Sequence, residues 1–295
     1  MHLYRNWFLA SRPWSFSMTA ISVSVGSILA AIDGAFSWGL YLVVLVGTIC
    51  MHAATNLIND YYDVQKGLDT PETATAQYRP HPLLEGKLKP TRVLTAGYVL
   101  FGLSSLIGIY LAATRGRELI WMGLIGTLAG LTYTAPPLKY KYKALGELSV
   151  FLMWGPLMVA GSYFVQRQSF STKALWVSLP FGLLVALVLL ANNIRDMDHD
   201  RRHGILTLAI VLGRYRGQML YGFLVVLAYL GITAMAIFGP LYPWSLLVLV
   251  SVPLAWRLIR QMMTQVPVDA DARTAQLDTA FGALLVASLV LTGVS

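Results

Sequence analysis

The chain has 295 residues, of which 56% are apolar and only 12% charged, and its mean hydropathy is +0.61. That balance excludes an ordinary soluble domain, and apolar runs of span length recur almost from end to end, as in a polytopic membrane protein. The net charge of +8 is spread over short loops with no soluble domain to hold a duplex, which excludes nucleic acid as a partner and leaves membrane lipid headgroups as the surface it suits.

Windows of about 20 apolar residues, enough to cross the hydrocarbon core, place nine spans near 14–32, 38–58, 92–113, 119–135, 146–166, 174–194, 217–238, 241–262 and 276–294. Lipid offers no partner to an unpaired backbone group, so each span is expected to be helical. The chain is therefore read as one all-α membrane domain over 1–295, a bundle of about nine transmembrane helices. Arg5 and Arg12 interrupt the N-terminal apolar stretch, and the run after them is long enough to span, so no cleavable leader is expected. Trp7, Phe8 and Trp14 suit an interfacial aromatic belt. The lone Cys50, inside the second span, excludes an intramolecular disulfide and a cysteine-cluster metal site.

The second span ends in Asn56-Leu-Ile-Asn59-Asp60-Tyr-Tyr-Asp63, followed by Gly67 and Asp69. At 3.6 residues per turn, Asn56, Asn59, Asp60 and Asp63 fall within an arc of roughly 100°, a row of hard oxygen donors on one helix face. The loop that follows carries Arg79. The fourth span runs out at Tyr133, Pro136 and Pro137, and Lys139, Lys141 and Lys143 then alternate with Tyr140 and Tyr142. At the end of the sixth span stands Asn192-Asn193-Ile-Arg195-Asp196-Met-Asp198-His-Asp200. Asn192, Asn193, Asp196 and Asp200 again share a face within roughly 100°, with Arg195 and Asp198 projecting elsewhere.

An odd number of spans puts the termini on opposite sides, and sorting by loop leaves only Arg115, Arg117, Arg167 and Lys173 of the 22 Lys and Arg on the second face. The positive-inside rule then makes the N-terminus and the cluster-bearing loops cytoplasmic and the C-terminus external. Of the 14 acidic residues, only Asp33 and Glu118 fall outside that basic face. Acidic residues contribute little to orientation, so their crowding there calls for another cause, and a divalent-cation site is one. Mg2+ takes one or two carboxylates and completes its shell with water and phosphate oxygens. Two facing oxygen rows suit a diphosphate held between them, with Asn59, Asp60, Asp63, Asp196 and Asp200 as metal ligands. Arg12, Arg79, Arg195, Lys139 and Lys141 are candidates for the diphosphate oxygens. Asn56, Asn192, Asn193 and Tyr133 are candidates to line the substrate, and the long loops after the second and sixth spans are candidate caps over the site.

These residues resemble the UbiA-type intramembrane prenyltransferases, nine-helix enzymes with N-x-x-x-D-x-x-x-D after the second helix and D-x-x-x-D after the sixth. Asn59 and Asp63 match the first motif's opening positions and Asp196 and Asp200 match the second, so the resemblance implies a catalytic role in metal and diphosphate binding for these four. Gly67 stands at the third position of the first motif, with Asp69 two residues on. That pattern, with Asn-Asn-Ile-Arg-Asp at 192–196, is similar to the branch that prenylates 1,4-dihydroxy-2-naphthoate in menaquinone synthesis. Arg79-Pro80 is similar instead to the 4-hydroxybenzoate branch, and Gly204-Ile-Leu-Thr207 lacks the basic residue usual in the naphthoate branch. The resemblance implies Mg2+-dependent transfer of a polyprenyl group from its diphosphate to an aromatic acceptor, in a bacterial or archaeal cytoplasmic membrane. 4-Hydroxybenzoate, homogentisate, an ether lipid or haem remain open as acceptors. A cation-coupled secondary transporter is the rival from another class, although such proteins set their ionisable residues near the bilayer midplane.

Overall fold

The computed structural model describes residues 2–294, and apart from one isolated parallel bridge between Lys143 and Leu206 its regular structure is helical. Among the described residues, eight helices are long and apolar enough to cross a membrane: α1 (Pro13–Ile32), α2 (Trp38–Gln65), α3 (Pro90–Arg115), α5 (Gly146–Arg167), α6 (Thr172–Arg195), α7 (Arg214–Phe238), α8 (Pro243–Thr264) and α9 (Ala270–Gly293). The remaining expected span, α4 (Glu118–Thr132), is apolar but has only 15 residues, about 22 Å at 1.5 Å per residue. Of the nine expected spans, eight thus have the length and composition to cross a membrane, and α4 falls short of that length. α4 stops three residues early because Pro136 and Pro137 lie just beyond it, and proline pushes the residue before it out of the helical region.

Two boundaries move for opposite reasons. α2 runs on to Gln65, seven residues past the expected end, because its oxygen-bearing residues sit on an unbroken helix. α9 begins at Ala270 rather than near 276, its first turn carrying Asp271 and Arg273, the latter paired with Asp269 at 2.8 Å. Inside α5 the stretch Met153–Leu157 widens to a π-turn. Pro156 has no N–H to donate there, so the regular ladder breaks.

Phe181, Leu184 and Leu187 of α6, Tyr221 of α7 and Phe281 of α9 are fully buried together in the main core. α5 and α6 meet at a glycine pair: a Cβ on Gly182 would stand 2.8 Å from Gly155 Cα. Without lipid-excluding hydrophobic force between helices, close backbone approach of this kind supplies much of the packing in a membrane. It also brings the start of α5 beside the end of α6, where Asn193 Nδ2 donates to Glu147 Oε1 at 2.8 Å. On the outside, Leu106, Trp121, Phe223 and Phe238 are exposed, the surface expected of a protein solvated by lipid.

Between the helices lies a cavity of about 1580 Å³. At one end it reaches Asp63 and Asp196, and at the other Leu111, Leu119 and Val165, close to the far termini of α3, α4 and α5. Its wall on α4 is opened by Gly123, Gly126 and Gly130. A polar mouth therefore leads into a long apolar interior.

Candidate functional site

α2 ends where Gly67 adopts φ +68°, a left-handed conformation that costs a residue with a Cβ about 1–2 kcal/mol. The amides of Leu68 and Asp69 fold back onto the Asp63 carbonyl at 2.8 and 3.3 Å. This reversal carries Asp69 into the cluster although it lies outside the helix-spaced row. His81 Nε2–H donates to Asp69 Oδ2 at 3.4 Å and lies 3.9 Å from Asp60 Oδ2. The three could share one ion. Burial opposes ionisation of Asp69, but the His81 hydrogen bond and the charges of Arg12 and Lys141 outweigh it and hold the carboxyl down at about 2. Neither Asp69 nor His81 was among the expected site residues; the Gly-x-Asp spacing after the helix was the signal that could have found the first.

Asn59, Asp60 and Asp63 are all buried. Lys141 Nζ donates to Asn59 Oδ1 at 2.9 Å and to Asp63 Oδ2 at 2.6 Å, and Tyr142 OH donates to Asp63 Oδ1 at 2.6 Å. Burial and the Asp63 charge push the Tyr142 phenol well above its usual range, which keeps it a donor. Asn56, Asn59 and Asp63 line the cavity. Asp60 does not: its Oδ1 pairs with Arg12 and its Oδ2 faces His81, so it stands with Asp69 and His81 rather than in the cavity wall with Asp63. Asn56 spends its Nδ2 donor on Ser11 O at 3.0 Å and Ser15 Oγ at 3.4 Å.

The second cluster is not one continuous helix face. α6 ends at Arg195, Asp196 is the junction, and a short helix Met197–Arg202 carries Asp200 onward. Asp196, Asp200, Asn192 and Asn193 still line the cavity. Asp198 turns out to Arg214 at 2.8 Å, as expected of a residue off the face. The Arg195 side chain is nearly enclosed, 6% exposed, and its donors are saturated. It grips Asp196 through Nε and Nη2 at 2.8 and 2.6 Å, and reaches Asp271 Oδ1 at 2.5 Å, Thr75 Oγ1 at 3.0 Å, Asn192 Oδ1 at 2.7 Å and Val268 O at 2.9 Å. Every N–H has a protein acceptor, so Arg195, although it also lines the cavity, stands in this structure as a strut between Asp196 and Asp271. Asp200 makes no side-chain hydrogen bond among the described residues. Burial, then the neighbouring Asp196 charge, lifts its carboxyl to about 7, with Asp63 and Lys141 close enough to be felt. The two clusters therefore face each other across one mouth.

Of the remaining expected cations, Arg12, Arg79 and Lys141 line the cavity and Lys139 does not. Arg79 stacks over Trp14 at 5.8 Å and has only a long ion pair, 3.9 Å, with Asp271. Burial and the charge of Arg12 lower its pKa, a penalty that an anion would relieve. Tyr133 faces the cavity, with Lys141 Nζ 5.8 Å from its ring centre. The loops around the mouth are tied together. Ala144 N donates to Leu206 O at 2.7 Å, Leu206 N to Tyr142 O at 3.3 Å, and His199 Nε2 lies 3.0 Å from Leu68 O.

The chain is 30% identical over 286 residues to the 1,4-dihydroxy-2-naphthoate octaprenyltransferase of Bacillus subtilis (strain 168), covering 96% of this chain and 91% of that protein. It is 35% identical to the UbiA prenyltransferase domain-containing protein 1 of Xenopus tropicalis, over 96% of this chain and 81% of that one. Among solved structures, a UbiA homologue from Archaeoglobus fulgidus bound to GPP and Mg2+ shares the fold with a TM-score of 0.68 at 14% identity, covering 98% of this chain and 100% of that chain. The family model that describes UbiA prenyltransferases matches residues 19–290, from α1 to the last turns of α9, and so takes in both carboxylate clusters: the chain belongs to the UbiA prenyltransferase family.

Proposed function

We propose that this chain transfers a polyprenyl group from polyprenyl diphosphate to an aromatic acceptor, and that the acceptor is 1,4-dihydroxy-2-naphthoate. The observation that carries the reaction is one mouth where two carboxylate clusters, Arg12, Arg79 and Lys141 converge above a long apolar cavity. The acceptor rests on the similarity to the Bacillus subtilis enzyme and on Asp69, which the Gly67 turn brings into the first cluster.

The residues suit Mg2+. The donors are hard oxygens, Asn59 and Asp63 already hold the ammonium of Lys141 between them, and Asp200 lacks a counter-charge close enough to keep its pKa low. Asn59, Asp63, Asp196 and Asp200 would hold the ion, which when bound neutralises the diphosphate oxygens and so makes them a better leaving group. The chain's own part is then to place the substrates. Arg79, Arg12 and Lys141 bind diphosphate oxygens, and the apolar cavity takes the prenyl tail. The allylic C–O bond breaks with its electron pair leaving on the diphosphate. An electron-rich ring carbon of the acceptor forms the new C–C bond, and with the naphthoate the same carbon then loses its carboxylate as CO2. The face of the Tyr133 ring can shield the allylic cation.

The active-site face is read as cytoplasmic, from the basic loops around it. The test is to incubate purified protein with Mg2+, labelled prenyl diphosphate and a panel of aromatic acids, and weigh the products. A prenylated naphthoate that has lost CO2 is expected. A prenylated hydroxybenzoate that keeps its carboxyl, with the naphthoate untouched, would contradict the acceptor, and no transfer to any acceptor would contradict the reaction.

A further inference from the structure

His52 is buried in α2, one turn before Asn56, and lines the cavity, yet the transfer described above gives it no part. Both ring nitrogens are engaged: Nδ1 lies 2.8 Å from Thr19 Oγ1 and Nε2 lies 3.2 Å from Ser15 Oγ. The partners' other bonds assign the protons. Trp154 Nε1–H donates to Thr19 Oγ1 at 3.1 Å, which leaves the Thr19 hydroxyl proton for Nδ1. The Ser15 hydroxyl donates to the Arg12 carbonyl at 2.7 Å, so the Ser15 oxygen accepts from Nε2–H. The ring is therefore the neutral Nε2–H tautomer with no lone pair free for a proton. The edges of Phe16 and Trp154, 5.5 and 4.9 Å away between centroids, fix its plane.

At the other end of this chain of hydrogen bonds is Arg12, whose backbone is left-handed at φ 58°, ψ 58°. Its carbonyl accepts from both the Ser15 hydroxyl and the Ser15 amide, the latter at 3.0 Å. Its guanidinium pairs with Asp60 at the cavity wall. We propose that His52 is a positioning residue that acts through Ser15 to hold Arg12 in this conformation, and so presents the Arg12 guanidinium to the diphosphate of the prenyl donor. Without the Nε2–H bond, Ser15 Oγ keeps only the longer contact from Asn56 Nδ2 at 3.4 Å, and Arg12 is less firmly held against relaxing to an ordinary backbone that carries its side chain off the wall. The inference rests on the reading of Arg12 as a diphosphate contact.

The experiment uses purified full-length protein in detergent and a non-reactive geranyl thiolodiphosphate with Mg2+. The dissociation constant is measured for wild type, His52→Phe, His52→Gln, Ser15→Ala, Arg12→Lys and the His52→Phe/Arg12→Lys pair, with kcat, KM and a pH profile for prenyl transfer. His52→Phe and Ser15→Ala are expected to weaken analogue binding about tenfold, the cost of one lost hydrogen bond in a buried relay. His52→Gln keeps a donor near the Nε2 position and should stay within about threefold of wild type. KM for the prenyl donor rises more than kcat falls, the pH profile keeps its shape, and His52→Phe adds little on top of Arg12→Lys. Unchanged binding in both His52→Phe and Ser15→Ala overturns the inference, as does loss of one limb of the pH profile, which would make His52 a base. Additive effects in the double variant overturn it too. Should His52→Phe fail to fold, Ser15→Ala, which removes a single hydroxyl, decides the same question. Wild-type protein that does not bind the analogue would sink the reading of the site itself, whereas a tight wild type matched by its variants sinks this inference alone.

Discussion

At the end of α2 the acids that pair do so with cations brought from distant parts of the chain, Arg12 for Asp60 and Lys141 for Asp63. At the end of α6, Asp196 is met by its own neighbour Arg195, and Asp200 by no hydrogen bond among the described residues. The two clusters look alike in sequence, yet their charge is balanced in different ways. Lys141 stands on a loop and can exchange its carboxylate for a ligand. Arg195 cannot do so without unpacking Thr75, Tyr78 and Asp271, which it joins to Asp196. One cluster is built to trade partners, the other to be held still.

That contrast can be broken at several points. The largest effect is expected from Asp63→Ala or Asp200→Ala, each lowering transfer by about 10³-fold while the protein still elutes as a folded species in detergent. Wild-type rates in both would remove the site. Next comes Arg195→Ala, which strands Asp196 without its counter-charge and leaves Asp271 only the Tyr78 hydroxyl and the long Arg79 pair, and which should cost about 3 kcal/mol of stability, read as a lower denaturation midpoint in detergent. Arg79→Ala, by contrast, should leave the midpoint nearly unchanged and raise KM for the prenyl donor. Equal loss of stability in the two variants would erase the distinction between strut and contact.

A smaller effect separates Asp200 from its neighbours by pH. Its carboxyl is raised to about 7, so below that pH it is protonated and has no charge to offer a divalent cation. Mg2+ affinity should climb with pH, by up to about tenfold per unit, until about pH 7 and level off above it. Titrating Mg2+ into Asp200→Asn should show weaker binding without that inflection; an unaltered inflection would assign it elsewhere. The smallest effect is expected at Lys139, which lies outside the cavity lining. Lys139→Ala should change transfer by less than about twofold, against about tenfold for Lys141→Ala, which removes a charge-assisted contact.

The spans were legible because apolar run length is a direct consequence of bilayer thickness. The oxygen-bearing face on α2 was legible because helical spacing alone places Asn56, Asn59 and Asp63 together. What spacing did not reveal was which way Asp60 turns, since that depends on Arg12, 48 residues earlier. The role of Arg195 was hidden for the same reason. Its partners Thr75 and Asp271 lie 120 and 76 residues away, and nothing local marks them. Lys139 and Lys141 were indistinguishable in a run of alternating lysines and tyrosines until the loop's conformation put one over Asp63 and the other outside. α4 came out short because a hydropathy window is insensitive to the paired prolines that end it.

The central claim is that the two clusters act as one site, and linkage between Mg2+ and the prenyl diphosphate tests it most directly. Calorimetric titration should find that Mg2+ and geranyl thiolodiphosphate each raise the other's affinity about tenfold or more, reciprocally, and that Asp63→Ala and Asp196→Ala each abolish the coupling. Coupling that survives unchanged in either variant would mean that the corresponding cluster stands outside the site.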